Sequence, residues 1–531
     1  MMESTDKITE LPVGWTMTSL SQCCDKVQDG SHFSPQTQYT EAGEGRYLYI
    51  TAKNIKEYGI DLSDVTWVDR DFHESIYNRC NPEQGDVLLI KDGVKTGIAT
   101  VNQLENPFSL LSSVALLKAK KNFLNPHFLK HYLNSPTGFK ATTGAMTGTA
   151  IRRIILAKLK TSSMPIPPLP EQHRIVNKIE ELFTKLDAGV DELRKAKARL
   201  RRHRKAVLAH AFRGNLTKEW RRVNSTLPAI ELLNRIKNER ETVYQHHLEE
   251  WQRKVRKWEK QGDGARKPAK PRRVHQVLPP SAADLDGLPQ LPKGWCWEKL
   301  GNIVADLCLG KMLDKEKNRG EYQPYLRNIN VRWLGFDLSE LLEMRFEPYE
   351  HERYGIVKGD LIVCEGGEPG RAAIWESALP SMMIQKALHR VRFFENLFNT
   401  HYVLYYLWHS SLNGYLEQFF TGTTIKHLTG EGLEDVTIPV APVEEQQQIV
   451  EVIEDKLSAI KNLEEEIERS LKRSQYLRQS VLRKAFSGTL VEQHPSDEPA
   501  DKLLERISQS TSKPNLSRRR RKSDGVTSNG K

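Results

Sequence analysis

The chain contains one series of short motifs twice, and this duplication constrains its fold more than any other feature. At an offset of 274 residues, Gly85-Asp86 recurs as Gly359-Asp360. The same offset relates Asn125-x-His127 to Asn399-x-His401, Thr147-Gly-Thr-x-Ile151 to Thr421-Gly-Thr-x-Ile425, Glu171-Gln172-x-x-Ile175-Val176 to Glu445-Gln446-x-x-Ile449-Val450, and Ala211-Phe-x-Gly214 to Ala485-Phe-x-Gly488. Leu11-Pro-x-Gly-Trp15 recurs as Leu291-Pro-x-Gly-Trp295 at an offset of 280. Solenoid units run to roughly 50 residues at most, so this period indicates two copies of a whole domain, each with a long helix.

Composition limits the class of protein. A chain of 531 residues is long enough for two or more domains with separate cores. Its formal charge of +11 favours an anionic partner without identifying one. No apolar run approaches the ~20 residues of a membrane span, and no signal peptide is visible, so we expect a cytoplasmic protein that does not contact a membrane. The six cysteines are scattered, which favours free thiols over zinc ligands.

Each copy of the repeat predicts an α+β domain of roughly 150 residues. Residues 86–90 have the pattern of a buried strand, Asp92-Gly93 that of a turn, and residues 97–101 that of a return strand. The second copy repeats this pattern at 360–364, Gly366-Gly367 and 371–375. Apolar residues at helical spacing predict a helix after each of these segments, at 126–133 and 400–408.

A long amphipathic helix follows the prolines that end each domain, Pro165 to Pro168 and Pro439 to Pro442. Apolar residues recur at steps of three and four residues, from Ile175 to Val207 and from Ile449 to Val481, which is a coiled-coil pattern. A helix of about 40 residues extends roughly 60 Å. We expect the two stripes to pack on each other, although pairing with another chain would also bury them.

Motifs for catalysis are missing from the sequence. There is no G-x-x-x-x-G-K-[ST] phosphate loop, no G-x-G-x-x-G after a strand and no H-E-x-x-H. The Asn/Asp-Pro-Pro-Tyr/Phe motif of amino-methylating DNA methyltransferases is also missing. We therefore expect a chain that is not an enzyme and that holds no metal or cofactor of its own.

The ordered double set of motifs resembles the specificity subunit of type I restriction–modification systems, over about residues 11–507. The resemblance implies two homologous α+β target recognition domains joined by two long antiparallel coiled-coil helices in a pseudo-twofold repeat. The predicted regions are a first recognition domain at 1–165, a central helical region at 166–260, a basic flexible linker at 261–290, a second recognition domain at 291–440, a distal helical region at 441–510 and a disordered basic tail at 511–531. The segment 228–290 is longer than in some branches of the family, so its role stays open.

The family resemblance also implies the partners. Two recognition domains, held apart by the helices, would read the halves of a bipartite, asymmetric site in double-stranded DNA. The helices would recruit two methyltransferase subunits, and the restriction subunits would bind through that complex. S-adenosylmethionine, ATP and Mg²⁺ would then be used by the partners. A coiled-coil scaffold with two protein-binding domains and no DNA specificity is the alternative.

The divergent turns of the two copies are the predicted DNA-reading positions. In the first domain these are Lys53, Asn54, Lys91 and Lys95, with Thr96 beside them. At the repeat offset, Lys53-Asn54 corresponds to Arg327-Asn328, Lys91 to Glu365, Lys95 to Pro369 and Thr96 to Gly370, beside Arg371. Arg and Lys suit guanine, Asn suits adenine, and Glu suits the cytosine amino group. Each of these side chains could instead be an ordinary solvated turn residue.

The Thr-Gly-Thr junctions are the predicted phosphate contacts. The candidates are Thr149, Arg152 and Arg153 in the first copy and Thr423, Lys426 and His427 in the second. Hydroxyl and basic groups suit contacts that position DNA without specifying its sequence. A helix cap that docks the domain on the coiled coil is the alternative. The run Arg518 to Lys522 fits either a sequence-independent DNA arm or a solvated tail.

Overall fold

The computed structural model describes residues 11–144, 153–261, 267–271, 273, 276–314, 316–377 and 382–511. By its internal contacts the chain divides into two compact units. The first unit consists of residues 1–194 and 468–531, and the second of residues 195–467. Each unit therefore contains one α+β domain, the beginning of one long helix and the end of the other.

The α+β domain of the first unit is built on a four-stranded antiparallel sheet. Its strands lie in the order Cys24–Asp29, Val114–Ala119, Val87–Ile90 and Ala99–Val101. A second sheet pairs Thr66–Asp69, Arg46–Ile50 and Ser109–Leu110, and two-stranded ladders pair Thr16–Ser19 with Ser163–Ile166 and Ile55–Lys56 with Gly59–Ile60. The helices are Leu20–Cys23, Arg70–Cys80, Pro126–Leu133, Pro136–Thr143 and Leu156–Thr161.

The domain of the second unit repeats this topology. Its main sheet has the order Asp306–Leu309, Leu388–Arg392, Leu361–Cys364 and Ala372–Ile374. A second sheet pairs Leu342–Phe346, Glu321–Leu326 and Met383–Ile384, and the ladders are Cys296–Lys299 with Thr437–Val440 and Val331–Arg332 with Gly335–Phe336. The helices are His351–Tyr354, Thr400–Leu412 and Gly430–Asp435, with 3-10 turns at Leu300–Asn302, Asn328–Asn330, Pro348–Glu350 and Tyr415–Phe419.

The main sheet of each domain is buried on both faces, which explains why its central strand is continuously apolar. In the first domain, Val87 and Leu89 face the core beneath helix Pro126–Leu133. Leu88 and Ile90 face a separate core that includes Ile50 from the second sheet. In the second domain, Leu361 and Val363 alternate in the same way with Ile362 and Cys364.

The helical regions contain two helices of equal length, Leu169–Phe212 and Val443–Phe486, each of 44 residues. At 1.5 Å per residue each extends about 66 Å. They end two residues before Gly214 and Gly488, whose positive φ values of 67° and 72° suit glycine at a helix stop. The remaining helices of these regions are Lys218–Val223, Ala229–Gln261, Ala282–Leu285 and Ala500–Thr511.

The two long helices pack on each other within the chain, and they run antiparallel. In the first unit, Arg478 near the end of the second long helix pairs with Asp187 and lies over the ring of Phe183, in the first half of the first long helix. In the second unit, Arg204 near the end of the first long helix pairs with Glu464 at 2.5 Å. Each unit thus joins the start of one helix to the end of the other, and the prediction of intramolecular pairing is confirmed.

The repeated motifs interlock where each domain meets its helices. The indole Nε1 of Trp15 donates to Glu171 Oε1 at 3.1 Å, and that of Trp295 donates to Glu445 Oε2 at 2.8 Å. The neighbouring glutamine accepts from the backbone N–H of the repeated asparagine, Asn125 to Gln172 at 2.8 Å and Asn399 to Gln446 at 3.0 Å. These motifs recur because they fix a domain on its helix.

The motif Ala-Phe-x-Gly docks each long helix on the domain of the other repeat. Phe486, from the second copy, is buried with its ring 5.2 Å from that of Phe128 in the first domain. Phe212, from the first copy, is buried with its ring 5.3 Å from that of Tyr402 in the second domain. A side chain at Gly488 would meet Pro12 of the Leu-Pro-x-Gly-Trp motif. The predicted class, two α+β domains with two long helices, is confirmed.

Candidate nucleic-acid interface

In the first domain, three segments that are distant in sequence meet beside the main sheet. Ser113 connects two of them, because its carbonyl accepts from Lys91 N–H at 2.9 Å and its Oγ accepts from Ala52 N–H at 3.2 Å. The third segment joins through Ile154 N–H, which donates to the Lys91 carbonyl at 2.8 Å. The loop at 51–54, the turn at 91–97 and the junction at 153–154 therefore form one surface, which we call the first reading surface.

The equivalent surface of the second domain consists of the loop at 327–330, the turn at 365–370 and the junction at 421–428. Asn328 Nδ2 donates to the Gly366 carbonyl at 3.2 Å, and Arg371 donates to the Asn328 carbonyl at 2.8 Å. Leu428 N–H donates to the Glu365 carbonyl at 2.8 Å. The structure thus brings Asn328, Glu365 and Arg371 together, and we call this the second reading surface.

The predicted correspondence of Lys53-Asn54 with Arg327-Asn328 is wrong, because this loop follows an offset of 276 residues. Asn54 Oδ1 accepts from Thr51 N–H at 3.0 Å, and its Nδ2 donates to the carbonyls of Asp61 and Asp64. Asn330 makes the same set of bonds, with Arg327 N–H at 2.9 Å and the carbonyls of Asp337 and Glu340. Asn54 and Asn330 are therefore the equivalent residues, and both are buried.

The turn of the main sheet is one residue longer in the first domain, so the predicted pairing of Lys95 with Pro369 and of Thr96 with Gly370 is also wrong. Gly97 N–H donates to the Ile90 carbonyl, six residues being enclosed, whereas Gly370 N–H donates to the Cys364 carbonyl with five enclosed. The carbonyls of Lys95 and Glu368 accept from equivalent N–H groups farther along the turn. Lys95 and Glu368 therefore occupy the same place with opposite charge.

Lys91 lies inside the first domain. It is 5% exposed, and its ammonium is 3.2 Å from Asp29 Oδ2 and 3.6 Å from Asp92 Oδ2. Arg79 also pairs with Asp29, at 2.7 Å. Burial alone would raise the pKa of Asp29, but the hydrogen bonds from Arg79 and Lys91 outweigh it and hold that pKa below its ordinary value. This placement argues for a positioning role for Lys91, and the buried, self-capping Asn54 has the same character.

Most of the other predicted contacts on these surfaces are accessible. Lys95 is exposed, and Lys53 is 45% exposed beside Asp64 at 3.0 Å. In the second domain, Arg327 is 3.2 Å from Glu340, and Arg371 pairs with Glu368 at 2.6 Å. The ring of His427 lies against Gly366, where an added Cβ would be 3.1 Å from Nδ1. Glu365 is half-buried.

The junctions are described only in part. Arg153 is 61% exposed and contacts Asp92 Oδ1 at 3.0 Å. In the second domain, Thr423 and Lys426 are exposed in a loop closed by backbone hydrogen bonds between Thr421 and His427. Thr149, Arg152 and the run Arg518–Lys522 lie outside the described residues.

The sequence profile of the type I restriction modification DNA specificity domain matches residues 12–193 and 305–473 of this chain. The match covers both copies of the repeat and more than half of the chain. The chain belongs to the type I restriction–modification specificity subunits.

Individual members of this family are distant in sequence. The specificity subunit of the type I restriction enzyme EcoKI from Escherichia coli K12 is 21% identical over 513 residues, which cover 94% of this chain and 96% of that subunit. The EcoBI specificity subunit of E. coli is 29% identical over 196 residues, and this match spans 36% of this chain and 41% of that subunit. The long match shows that the duplicated architecture extends through the whole of the EcoKI relative.

A solved structure from work on complex assembly and conformational transition of the type I R-M system has a similar fold. Its TM-score is 0.62, and the match covers 91% of this chain and 100% of that chain at 17% identity. Identity this low supports the fold alone.

Two searches of the described residues returned nothing. Within them, no group of three or more His, Cys, Asp or Glu side chains is placed to hold a metal ion. No helix in the same ranges has the length and apolarity needed to cross a membrane.

Sequence comparison of the two halves missed Asn330, Glu368 and the buried partner Asp29 of this specificity subunit. The first of these had a signal, because Asp61-x-Ser63 and Asp337-x-Ser339 share the 276 offset, and both aspartates accept from the serine hydroxyl at 2.6 Å. Asp29 had none, since it is 62 residues from Lys91 in the sequence.

Proposed function

We propose that this chain is the DNA-reading subunit of a type I restriction–modification complex and that its two domains read different halves of a bipartite, asymmetric site. The observation that carries the proposal is the contrast between the reading surfaces. Their backbones correspond closely, yet Lys95 of the first stands where Glu368 stands in the second. A shared framework with opposite charge at the same turn suits two readers of different sequences.

Within this proposal the candidate residues have distinct roles. Lys95 and Lys53 of the first surface, and Arg327, Asn328, Glu365 and Arg371 of the second, contact base edges. Lys91 and Asn54 hold the first surface in shape. The junction residues Thr149, Arg152, Arg153, Thr423, Lys426 and His427 contact phosphates, which sets orientation without specifying sequence.

The long helices act as the spacer and as the docking site for two methyltransferase subunits, and restriction subunits join through that complex. A rigid helical pair suits a ruler, because successive turns of a DNA groove are about 34–36 Å apart and each helix is about 66 Å long. The chain itself is non-catalytic in this proposal, and its partners use S-adenosylmethionine, ATP and Mg²⁺. The complex acts in the cytoplasm, where its DNA substrate is.

Modified-base sequencing of the host genome, together with duplex binding by the purified complex, tests the proposal. We expect methylated adenines in a split motif and tighter binding to a duplex that carries it. Deleting the gene for this chain should remove that motif from the methylation map. Co-purification with partners but equal, salt-insensitive binding to all duplexes would support the scaffold alternative instead.

Lys95→Ala is expected to relax the half-site read by the first domain only, by about 1–3 kcal/mol. Glu368→Ala, at the equivalent place, should relax the other half-site only. Binding to a panel of duplexes with single base-pair changes measures both effects. Equal loss across both half-sites in either variant would contradict the assignment of one reader to each half-site.

Seven residues inserted into both long helices, between Ala188 and Ala198 and between Lys472 and Arg478, should lengthen the tolerated spacer and leave both half-sites unchanged. A heptad preserves the apolar stripe and adds about 10 Å, or roughly 3 base pairs. The methylation map of the variant measures the spacer. The same insertion at Asp286 in the linker serves as the control, and an unchanged spacer in the helix variant would refute the ruler.

A further inference from the structure

The helix Ala229–Gln261 consists of a docked part and an arm. Ala229, Leu232 and Ile236 are buried against the second domain, and Arg240 donates to the carbonyls of Gly301 and Val304. Beyond Arg240, no described side chain of this helix is buried. The 21 residues from 241 to 261, about 31 Å of helix, therefore add nothing to the core of the domain.

The linker after this helix folds back along one of its faces. Trp251 Nε1 donates to the Pro268 carbonyl at 2.9 Å, and the Lys267 ammonium lies 5.8 Å from the centroid of the Trp258 ring. Farther along, Arg273 pairs with Glu241. Trp251, Val255 and Trp258 share one helical face at spacings of four and three residues, so the linker covers the apolar face. We call residues 241–273 the basic arm.

The opposite face of the basic arm carries a stripe of cations. Arg253, Arg256, Lys257 and Lys260 follow the spacing i, i+3, i+4, i+7, and all four are exposed. At 3.6 residues per turn this stripe lies about half a turn from the tryptophan face. Residues 253–273 contain ten Lys or Arg and two Asp or Glu, a net charge of +8 in a chain whose total is +11.

We propose that the basic arm binds the sugar–phosphate backbone of double-stranded DNA without reading its sequence. This is a contact separate from the two reading surfaces, and it rests on the proposed function only in that the chain meets DNA. Lysine and arginine on one helical face neutralise phosphates and release counterions, which raises affinity for any sequence. A protein partner fits less well, because protein interfaces have an apolar core depleted in charge, and the linker already covers the apolar face.

The test compares the wild-type complex with one that carries R253Q, R256Q, K257Q and K260Q. Dissociation constants are measured between 50 and 200 mM salt, on a duplex with the recognised site and on one of equal length without it. Each lost phosphate contact lowers the slope of log Kd against log salt by about 0.9, so we expect a decrease of about 2–4. Both duplexes should lose affinity by the same factor, and the preference between them should stay unchanged.

A matched variant removes the same charge elsewhere in the central helical region, through K218Q, R222Q, R235Q and K237Q, all at exposed positions. It should keep most of the wild-type slope. An unchanged slope in the arm variant, or an equal change in both variants, overturns the proposal. So does loss of methyltransferase co-purification at an unchanged slope, which would assign the arm to a protein partner. A wild-type complex with no preference between the duplexes would instead refute the proposed function, whatever the slopes.

Discussion

Phe486→Ala is expected to loosen the first domain while leaving the second intact, although Phe486 belongs to the second copy of the repeat. Phe486 is 2% exposed, with its ring 5.2 Å from Phe128 and 5.3 Å from Tyr132. Truncating a buried phenylalanine costs about 3–5 kcal/mol, through lost transfer free energy and the cavity left behind. Hydrogen exchange followed by mass spectrometry resolves the two domains, for which a single unfolding midpoint would be ill-defined.

Phe212→Ala is the matched variant for the second domain. Phe212 is also 2% exposed, and its ring lies 5.3 Å from Tyr402 and 5.1 Å from Tyr406. Exchange should rise at residues 296–440 in this variant and at residues 16–133 in Phe486→Ala. If each variant instead loosened the domain of its own repeat, the exchanged docking of the Ala-Phe-x-Gly motifs would be disproved.

The parts of the fold that the sequence predicts well are those governed by periodicity and by the repeat. The long helices follow from apolar residues at steps of three and four, and their ends from Gly214 and Gly488. The strand at 87–90 follows from its apolar run between turn residues. Both signals are local, so no tertiary information is needed to interpret them.

The reading surfaces are harder to predict, because tertiary contacts decide them. A constant offset fails where loops differ in length, as at the turn between Ile90 and Gly97. Exposure fails too, since Lys91 stands next to an Asp-Gly turn and yet is buried by Asp29 from a distant strand. A charged turn residue therefore predicts a surface position less well than its partners in space do.

Asp29→Ala is expected to destabilise the first domain by about 3 kcal/mol in the absence of DNA. Removing one member of a buried ion pair costs about 3–5 kcal/mol, because the other charge stays buried without it. The side chains of Asp29 and Lys91 are 4% and 6% exposed. The expected loss is at the low end of the range because Asp92 remains 3.6 Å from Lys91. Hydrogen exchange at residues 24–29 and 87–119 measures it.

The stabilisation from Asp29 should depend on pH in the direction of a lowered pKa. Arg79, Lys91 and His32 surround the carboxylate and hold its pKa below the ordinary value in the folded chain. Its contribution is therefore complete above pH about 4, where an unfolded aspartate is ionised, and is lost as pH falls through the folded pKa. Exchange in the wild type should increase with acid more than in Asp29→Ala, after correction for the intrinsic rate.

Two further variants separate a buried pair from a DNA contact at Lys91. Replacing both partners, as Asp29→Leu with Lys91→Met, should cost much less than Asp29→Ala, because no unpaired charge remains between them. Lys53→Ala should cost under about 1 kcal/mol, since its ion pair with Asp64 is exposed on both sides. If Asp29→Ala is as mild as Lys53→Ala, Lys91 does not depend on Asp29 for its place, and a direct contact with DNA becomes the better assignment for it.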